Sequence, residues 1–374
     1  MKIAYITTYQ ILGPQNGGGI LCASRNLSLL KTIYGEDNVY VCAVSRNIDH
    51  LKYESKNTHV LFSSLKKLAV LKYALSGRTH FSKDTENAIL KYITQSNVDK
   101  VFWDRSLMGF LPKRLPQHIK QVLYVTNVER DHIKPKRIVD LPQSLLLTLP
   151  VMKNELISIK NADTVMSLNE RDASLLEKYY GRKSDFVLPI TFDDSFVQGD
   201  YNATKQPNTK LHLLFVGALF RTNKIGVTWF INEVMPHIDA EFTVIGRDFE
   251  KLKKKLTRRN VNIVGTVDKV SDYYSNADVI VSPILFGFGM KVKTAEALMY
   301  GKPMFATDEA LEGYDVDELE NVYRCNTAEE FIVAINAFAE KSPYLSFDEK
   351  IRARFLEKYY TLNYMAVLGK ILSR

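Results

Sequence analysis

The sequence predicts an α/β protein built from two doubly wound parallel-sheet domains in tandem. Three observations predict it. Short apolar, β-branched runs alternate with helical segments almost from the first residue. A polar stretch near residue 200 interrupts that alternation once, after which it restarts. In the second half, run after run ends in glycine or proline. Strands covered on both faces read as unbroken apolar runs, and a helix between them returns each new strand parallel to the last.

In the first half, Lys2–Thr8 reads as a buried strand, followed by the glycine-rich loop Gly13-Pro14-Gln15-Asn16-Gly17-Gly18-Gly19 and a helix from about Ile20 to Thr32. Further strands are expected at Asn38–Ser45, Val60–Ser63, Asp99–Asp104, Gln121–Thr126, Thr164–Leu168 and Asp185–Leu188. The polar segment from Phe192 to Thr209 reads as a linker. Beyond it come strands at Leu211–Val216, Glu241–Ile245, Val261–Val264, Asp278–Ser282 and Pro303–Thr307, with helices at Ile225–Met235 and Val292–Met299. The stretch from Phe347 to Leu372 is helical. The expected domains are 1–195, 205–345 and a C-terminal helical piece, 346–374, that packs back towards the first domain. A cleft between the two sheets would hold the ligand, outside the carboxyl ends of the strands. Gly217, Gly246 and Gly265 end three of those strands; they let a ligand approach the backbone, or they serve tight turns.

Composition narrows the function. The chain of 374 residues is 46% apolar and 25% charged, so it can bury an ordinary core. Its net charge is +8, which favours an anionic partner or simply solubility. Cys22, Cys42 and Cys325 are scattered, which argues against a disulfide framework or a zinc site and for a reducing, cytoplasmic setting. The N-terminal apolar run is too short for a signal peptide, and no window approaches the roughly 20 apolar residues that span a bilayer. The basic run Lys251–Arg259 lies on an expected helix and reads as a solvated face, so no nucleic-acid partner is expected. Leu65–Leu75 and Pro142–Ile159 mix apolar residues with lysines; each is a core helix or a peripheral contact with an anionic membrane. The glycines after the first strand do not have GxGxxG spacing, which disfavours a nicotinamide dehydrogenase.

The chemistry concentrates in Gly287-Phe288-Gly289-Met290-Lys291-Val292-Lys293-Thr294-Ala295-Glu296-Ala297-Leu298-Met299-Tyr300-Gly301-Lys302-Pro303. A glycine turn leads into a helix start, where the first N–H groups lack internal partners and the dipole is positive. That is a cradle for phosphate. Lys291 and Lys293 add positive charge where the dipole disfavours it, a local conflict that a bound anion resolves. Glu296, three residues beyond Lys293, can accept from ribose hydroxyls. The alternative is an ordinary amphipathic helix with solvated lysines.

This segment resembles the donor motif of the retaining family 4 glycosyltransferases, whose fold is GT-B, two Rossmann-like domains facing across a cleft. Glu296-Ala297-Leu298 and Gly301-Lys302-Pro303 stand where that motif has Glu-Ala-(Leu/Met) and Gly-x-Pro. Phe288 occupies the place of the motif's first glutamate, eight residues earlier, and Lys291-x-Lys293 resembles a branch with a basic pair instead. Leu214–Leu219, then Asn223 and Lys224, resemble the opening of the donor domain. Thr243–Gly246, Ile263-Val264-Gly265-Thr266-Val267 and Asn276–Val279 follow in the family's order. Thr126-Asn127-Val128-Glu129 resembles a His-Asn-Val-Glu segment, with Thr126 in the histidine's place and His132 nearby.

The resemblance implies transfer of a sugar from a nucleotide-sugar donor to a glycan or lipid-linked acceptor, with retention of configuration and no metal or further cofactor. It places Lys291, Lys293 and the N–H groups of Gly289 and Met290 at the leaving diphosphate, with Arg221 and Lys224 as further phosphate contacts and Glu296 at the ribose. Gly18 and Gly19 would approach the donor from the other domain. Asp193-Asp194 lies in the linker and reads as solvated; Asp104, Glu129 and Asp131 are loop candidates in the first domain. A non-catalytic GT-B partner subunit and a GT-B sugar-nucleotide epimerase remain as alternatives.

Overall fold

The structure is a computed structural model; it describes residues 1–12, 18–45, 47–62, 77, 79, 81–133, 141–196, 210–287, 289–341 and 346–373. The chain divides into two compact units, Met1–Ile190 with Met365–Arg374, and Thr191–Tyr364.

Unit 1 holds a seven-stranded parallel sheet in the order β3-β2-β1-β4-β5-β6-β7. Its strands are β1 (Ile3–Thr7), β2 (Val39–Ser45), β3 (Thr58–Phe62), β4 (Lys100–Trp103), β5 (Lys120–Val125), β6 (Thr164–Ser167) and β7 (Phe186–Val187). Every residue of β1 and β4 is buried, which is why these runs carry no polar alternation. The described helices are α1 (Gly18–Tyr34), α2 (Lys83–Gln95), α3 (Leu111–Arg114), α4 (Glu129–Ile133), α5 (Leu141–Asn161) and α6 (Glu170–Tyr180). Ser82 caps α2 by accepting from the Thr85 N–H, and Asn169 caps α6 in the same way from Asp172. Gly181, at φ +69, then ends α6. Ile6, Trp103, Leu123, Val165 and Leu176 meet in one core cluster.

Unit 2 holds a six-stranded parallel sheet, β10-β9-β8-β11-β12-β13. The strands are β8 (Leu211–Val216), β9 (Ala240–Ile245), β10 (Val261–Gly265), β11 (Val279–Ser282), β12 (Met304–Ala306) and β13 (Val322–Arg324). The α-helices are α7 (Arg221–Glu233), α8 (Lys253–Leu256), α9 (Val270–Asn276), α10 (Val292–Met299), α11 (Asp308–Leu311), α12 (Ala328–Lys341), α13 (Glu349–Lys358) and α14 (Thr361–Leu372). The part of α14 from Met365 onward belongs to unit 1, where the Leu372 carbonyl accepts from the Lys100 ammonium and the Tyr34 hydroxyl.

Both sheets are doubly wound, and each has a point where the strand order reverses: between β1 and β4 in unit 1, and between β8 and β11 in unit 2. Sequence expectation and structure differ in several places. The helix expected at Ile225 starts four residues earlier, at Arg221, so Arg221, Asn223 and Lys224 are helical. The basic run forms a 3₁₀ turn and the four-residue α8, because Asp248 breaks the entry with φ +72 and ion-pairs with Lys251 at 2.6 Å. Asp194 is not solvated as expected: its carboxylate is held by Arg352, with 20% of its side chain exposed. Residues 197–209 of the expected linker, Gly13–Gly17, Phe288 and the Leu65–Leu75 segment lie outside the described residues.

Candidate functional site

At the reversal point of unit 2, β8 leads into α7 and β11 leads into α10. Neither helix start is closed by its own sequence. Phe220 precedes α7 and Lys291 precedes α10, neither offers a capping side chain, and neither first turn contains an acid. The leading N–H groups and the positive dipole ends therefore remain available to an anion. α10 propagates on Ala295, Ala297, Leu298 and Met299, which are strong helix formers. It stops at Gly301, where φ is +57. The start of α7 is held close to the β11 loop at Gly226, where a β-carbon would lie 1.8 Å from the Pro283 carbonyl oxygen.

Side chains join the two helix starts. The Lys293 ammonium donates to Asn223 Oδ1 at 2.8 Å, and Asn223 Nδ2 donates to the Ala218 carbonyl at 2.7 Å. The same ammonium lies 5.0 Å from the centre of the Phe215 ring. Burial, reinforced by the Lys291 charge and opposed by Glu296, brings the Lys293 pKa down to about 7. One turn on, Glu296 accepts from the Tyr274 hydroxyl at 3.1 Å. Burial pushes its carboxyl up to about 7, against the Tyr274 hydrogen bond and the Lys293 charge. Tyr274 in turn stacks on Tyr300 with ring centres 4.6 Å apart, which fixes where Glu296 is held. Arg221 and Lys224 are exposed on the first turn of α7, and Met290 is buried beside Lys291.

The strand-ending glycines are explained by the protein's own atoms. At Gly246, where φ is +139, a β-carbon would lie 2.1 Å from the Gly217 carbonyl oxygen. At Gly265, where φ is +95, it would meet Glu250 at 2.5 Å. Gly217 is crowded by Asn223 at 2.9 Å and by the Lys293 side chain at 3.2 Å, so it alone of the three abuts the Lys293 cluster. Gly265 and Val267 belong to the far end of this half-sheet, two strands from β8.

Lys291 departs from its expected place as a free phosphate cation. Its ammonium donates to Glu309 at 2.6 Å and to the Gly289 carbonyl at 2.6 Å, leaving 12% of the side chain exposed. Glu309, on α11, carries no motif signal; only the three-dimensional fold brings it to the glycine turn.

Unit 1 gathers a second polar cluster at its own reversal point. Arg105, just past β4, pairs with Glu129 at 2.5 Å, donates to Thr8 Oγ1 at 3.1 Å and lies 5.3 Å from the Tyr9 ring centre. The Tyr9 and Thr126 hydroxyls are 2.8 Å apart. Burial raises the Tyr9 pKa to about 12, against the opposing Arg105 charge. Tyr9 and Arg105 were not singled out by sequence. Gly18 and Gly19 open α1, and a β-carbon on Gly19 would come 2.7 Å from the Tyr9 ring, so Gly19 makes room for Tyr9. Asp104 is fully buried and accepts from Thr7 at 3.0 Å and Asn26 at 3.1 Å. Burial raises its pKa to about 6 in spite of those bonds. Glu129 is set by Glu155, whose buried carboxylate accepts from the N–H groups of Glu129 at 3.0 Å and Arg130 at 3.2 Å. Asp131 is held by Arg171 at 3.4 Å and Tyr179 at 3.1 Å; the His132 side chain lies outside the described residues.

Among the described residues, no three or more His, Cys, Asp or Glu side chains group so as to hold a metal ion, and no helix is long and apolar enough to cross a membrane.

Residues 210–341 match the family model described as Glycosyl transferases group 1. An uncharacterized 44.6 kDa protein in the cps region of Klebsiella pneumoniae is 27% identical over 130 residues, and that match spans 34% of its length and 31% of this chain. Solved structures resemble the whole chain. The Anabaena protein HepE in complex with UDP gives a TM-score of 0.71 at 12% identity and covers 100% of both chains. The lipopolysaccharide outer core galactosyltransferase WaaB gives 0.69 at 16% identity, covering 100% of this chain and 99% of the other. Sucrose-phosphate synthase from Thermosynechococcus elongatus gives 0.68 at 15% identity, covering 100% and 98%. With two parallel sheets of the described topology, the chain has the GT-B fold.

Proposed function

We propose that this protein is a glycosyltransferase that moves a sugar from a nucleoside-diphosphate sugar to a saccharide or lipid-linked saccharide, with retention of configuration, in the synthesis of a surface polysaccharide or glycoconjugate. The observation that carries the reading is the pair of uncapped helix starts at the unit 2 reversal point, bridged by Lys293 and Asn223. The family match over 210–341 and the UDP complex of HepE support it, as does the resemblance of WaaB and of the cps-region relative.

The chemistry follows from where charge develops. As the bond between the anomeric carbon and the diphosphate breaks, negative charge builds on the leaving oxygens, and fixed donors that meet it lower the barrier. The N–H groups at Gly289 and Met290 and the Lys293 ammonium are those donors, with the exposed Arg221 and Lys224 adding charge from α7. Glu296, held by Tyr274, takes the ribose hydroxyls. Tyr9, Arg105 and Glu129 receive the acceptor saccharide: the ring offers a stacking face, and the ion pair offers donors and acceptors for hydroxyl groups. No metal is needed for this charge balance, and a lipid-linked acceptor would be met at an anionic membrane face.

The test is calorimetric binding of a panel of nucleotide sugars, with sugar release followed in parallel, on the wild type and on Glu296→Ala and Lys293→Met. One donor bound saturably, weakened by both substitutions and slowly hydrolysed, supports the reading. Absence of binding to every donor overturns it and leaves a non-catalytic GT-B subunit.

A further inference from the structure

The glycine turn before α10 is bound to α11 at several points. Thr307, which precedes α11, donates from its hydroxyl to the Ile284 carbonyl at 2.5 Å, before the turn. Thr294, after the turn, donates to the Ala310 carbonyl at 2.7 Å. The Tyr314 hydroxyl donates to the Lys291 carbonyl at 2.7 Å. Between these anchors Glu309 reaches Lys291, whose ammonium also folds back onto the Gly289 carbonyl. Gly287 is the floor of this arrangement: a β-carbon there would lie 3.2 Å from Glu309 Oε1 and 3.3 Å from Lys291 Cε. Gly289 supplies the φ of +63 that lets the turn close beneath the lysine.

Of the three N–H donors of the Lys291 ammonium, two are taken by its own protein, one of them by a carboxylate, which leaves at most one for a phosphate. The ammonium also brings no net charge, because Glu309 cancels it. Lysine at a helix start opposes the dipole, and a glutamate beside it removes that penalty without any ligand.

We propose that Glu309 is a positioning residue and that the Lys291–Glu309 pair is a latch: it holds the glycine turn and the first turn of α10 in the shape that presents their N–H groups to an anion. Lys293, not Lys291, is then the cation of α10 that meets the anion directly. The consequence for binding rests on the donor-site reading above; the latch itself does not.

The experiment uses the full chain with Glu309→Gln, Lys291→Met and the double substitution, in two measurements. Hydrogen exchange of ligand-free protein is followed at the first turn of α10, where the Thr294 N–H bonds to the Lys291 carbonyl at 3.0 Å. UDP affinity is measured by calorimetry. The latch predicts faster exchange in both single variants. It also predicts UDP affinity lowered by about tenfold in each, as expected for loss of one hydrogen bond to a charged group. The double variant is then no worse than the weaker single, because both remove one interaction. Tighter UDP binding in Glu309→Gln alongside weaker binding in Lys291→Met overturns the proposal, since Lys291 would then be a phosphate ligand for which Glu309 competes. Unchanged exchange in both single variants overturns it too. Faster exchange in a protein that binds no UDP keeps the latch and removes the donor reading.

Discussion

Lys293 and Asn223 stand 70 positions apart in sequence, yet a 2.8 Å hydrogen bond from ammonium to amide oxygen ties the starts of α10 and α7 together. Asn223 spends its other end on the Ala218 carbonyl, so the lysine is aimed by a side chain that is itself fixed. Replacement by alanine leaves a largely buried ammonium short of an acceptor. Hydrogen bonds to charged groups contribute about 1.5–3 kcal/mol, so Asn223→Ala should weaken UDP binding by about ten- to a hundredfold. Calorimetry on the purified variant checks this; unchanged affinity would mean that Lys293 needs no aiming.

The lowered pKa of Lys293 gives binding a pH dependence. Near pH 7 the group is about half protonated, and an anion beside it favours the charged form. UDP binding should therefore take up a proton, and affinity should fall as pH rises above about 7. Calorimetry in buffers of different ionisation enthalpy measures the uptake, and Lys293→Met should abolish that part of it.

Lys293 and Glu296 pull stability in opposite directions. For Lys293, depressed from 10.5 to about 7, the unfolded chain binds more protons within that window, so stability rises with pH across it. For Glu296, raised from 4.5 to about 7, the folded chain binds more, so its contribution is complete below 4.5 and is lost as pH climbs through about 7. Denaturant titrations of wild type and Glu296→Gln between pH 4.5 and 7 should show a steeper loss in the wild type, the loss that comes from Asp104, raised from 3.8 to about 6, being common to both.

Gly246→Ala should be costly without touching any ligand. The added carbon would sit 2.1 Å from a main-chain oxygen that no rotamer change can move, in a backbone conformation that disfavours side chains. Overpacking of this kind costs about 1–3 kcal/mol. A lowered thermal midpoint is expected; an unchanged one would mean that the Gly217 carbonyl yields easily.

Arg105→Met should separate transfer from donor binding. It leaves Glu129 without its 2.5 Å partner at the unit 1 reversal point, while the Lys293 cluster of unit 2 is untouched. Loss of sugar transfer to an acceptor saccharide with UDP affinity retained is the expected result, and retained transfer would remove Arg105 and Glu129 from the acceptor site.

The strands were legible because burial on both faces writes itself into the sequence as apolar runs, and Leu211–Val216 falls where sequence places it; the helix Val292–Met299 does so too, between a glycine turn and Gly301. β13 escaped because its three residues, Val322–Arg324, are partly exposed and lack such a run. The start of α7 escaped because its first residue follows Phe220, which carries no capping group to mark it. Within the site, the cations of 291–293 and the glycine turn could be read directly. Glu309, Tyr9 and Arg105 could not, since each gains its meaning from a partner between 18 and 117 positions away. The strand-ending glycines were visible, but the atoms crowding Gly246 and Gly265 were not, and those atoms give their reason.

At Gly226 a main-chain oxygen takes the volume of a side chain's first carbon. The interval between the two helix starts is thus a backbone dimension, and drift among neighbouring side chains leaves it alone. Descendants of this chain can exchange the exposed cations at 221 and 224, and with them the anion they prefer, without rebuilding the anchorage. A directed-evolution library selected for a new donor should return every amino acid its chemistry rewards at those positions and glycine alone at 226.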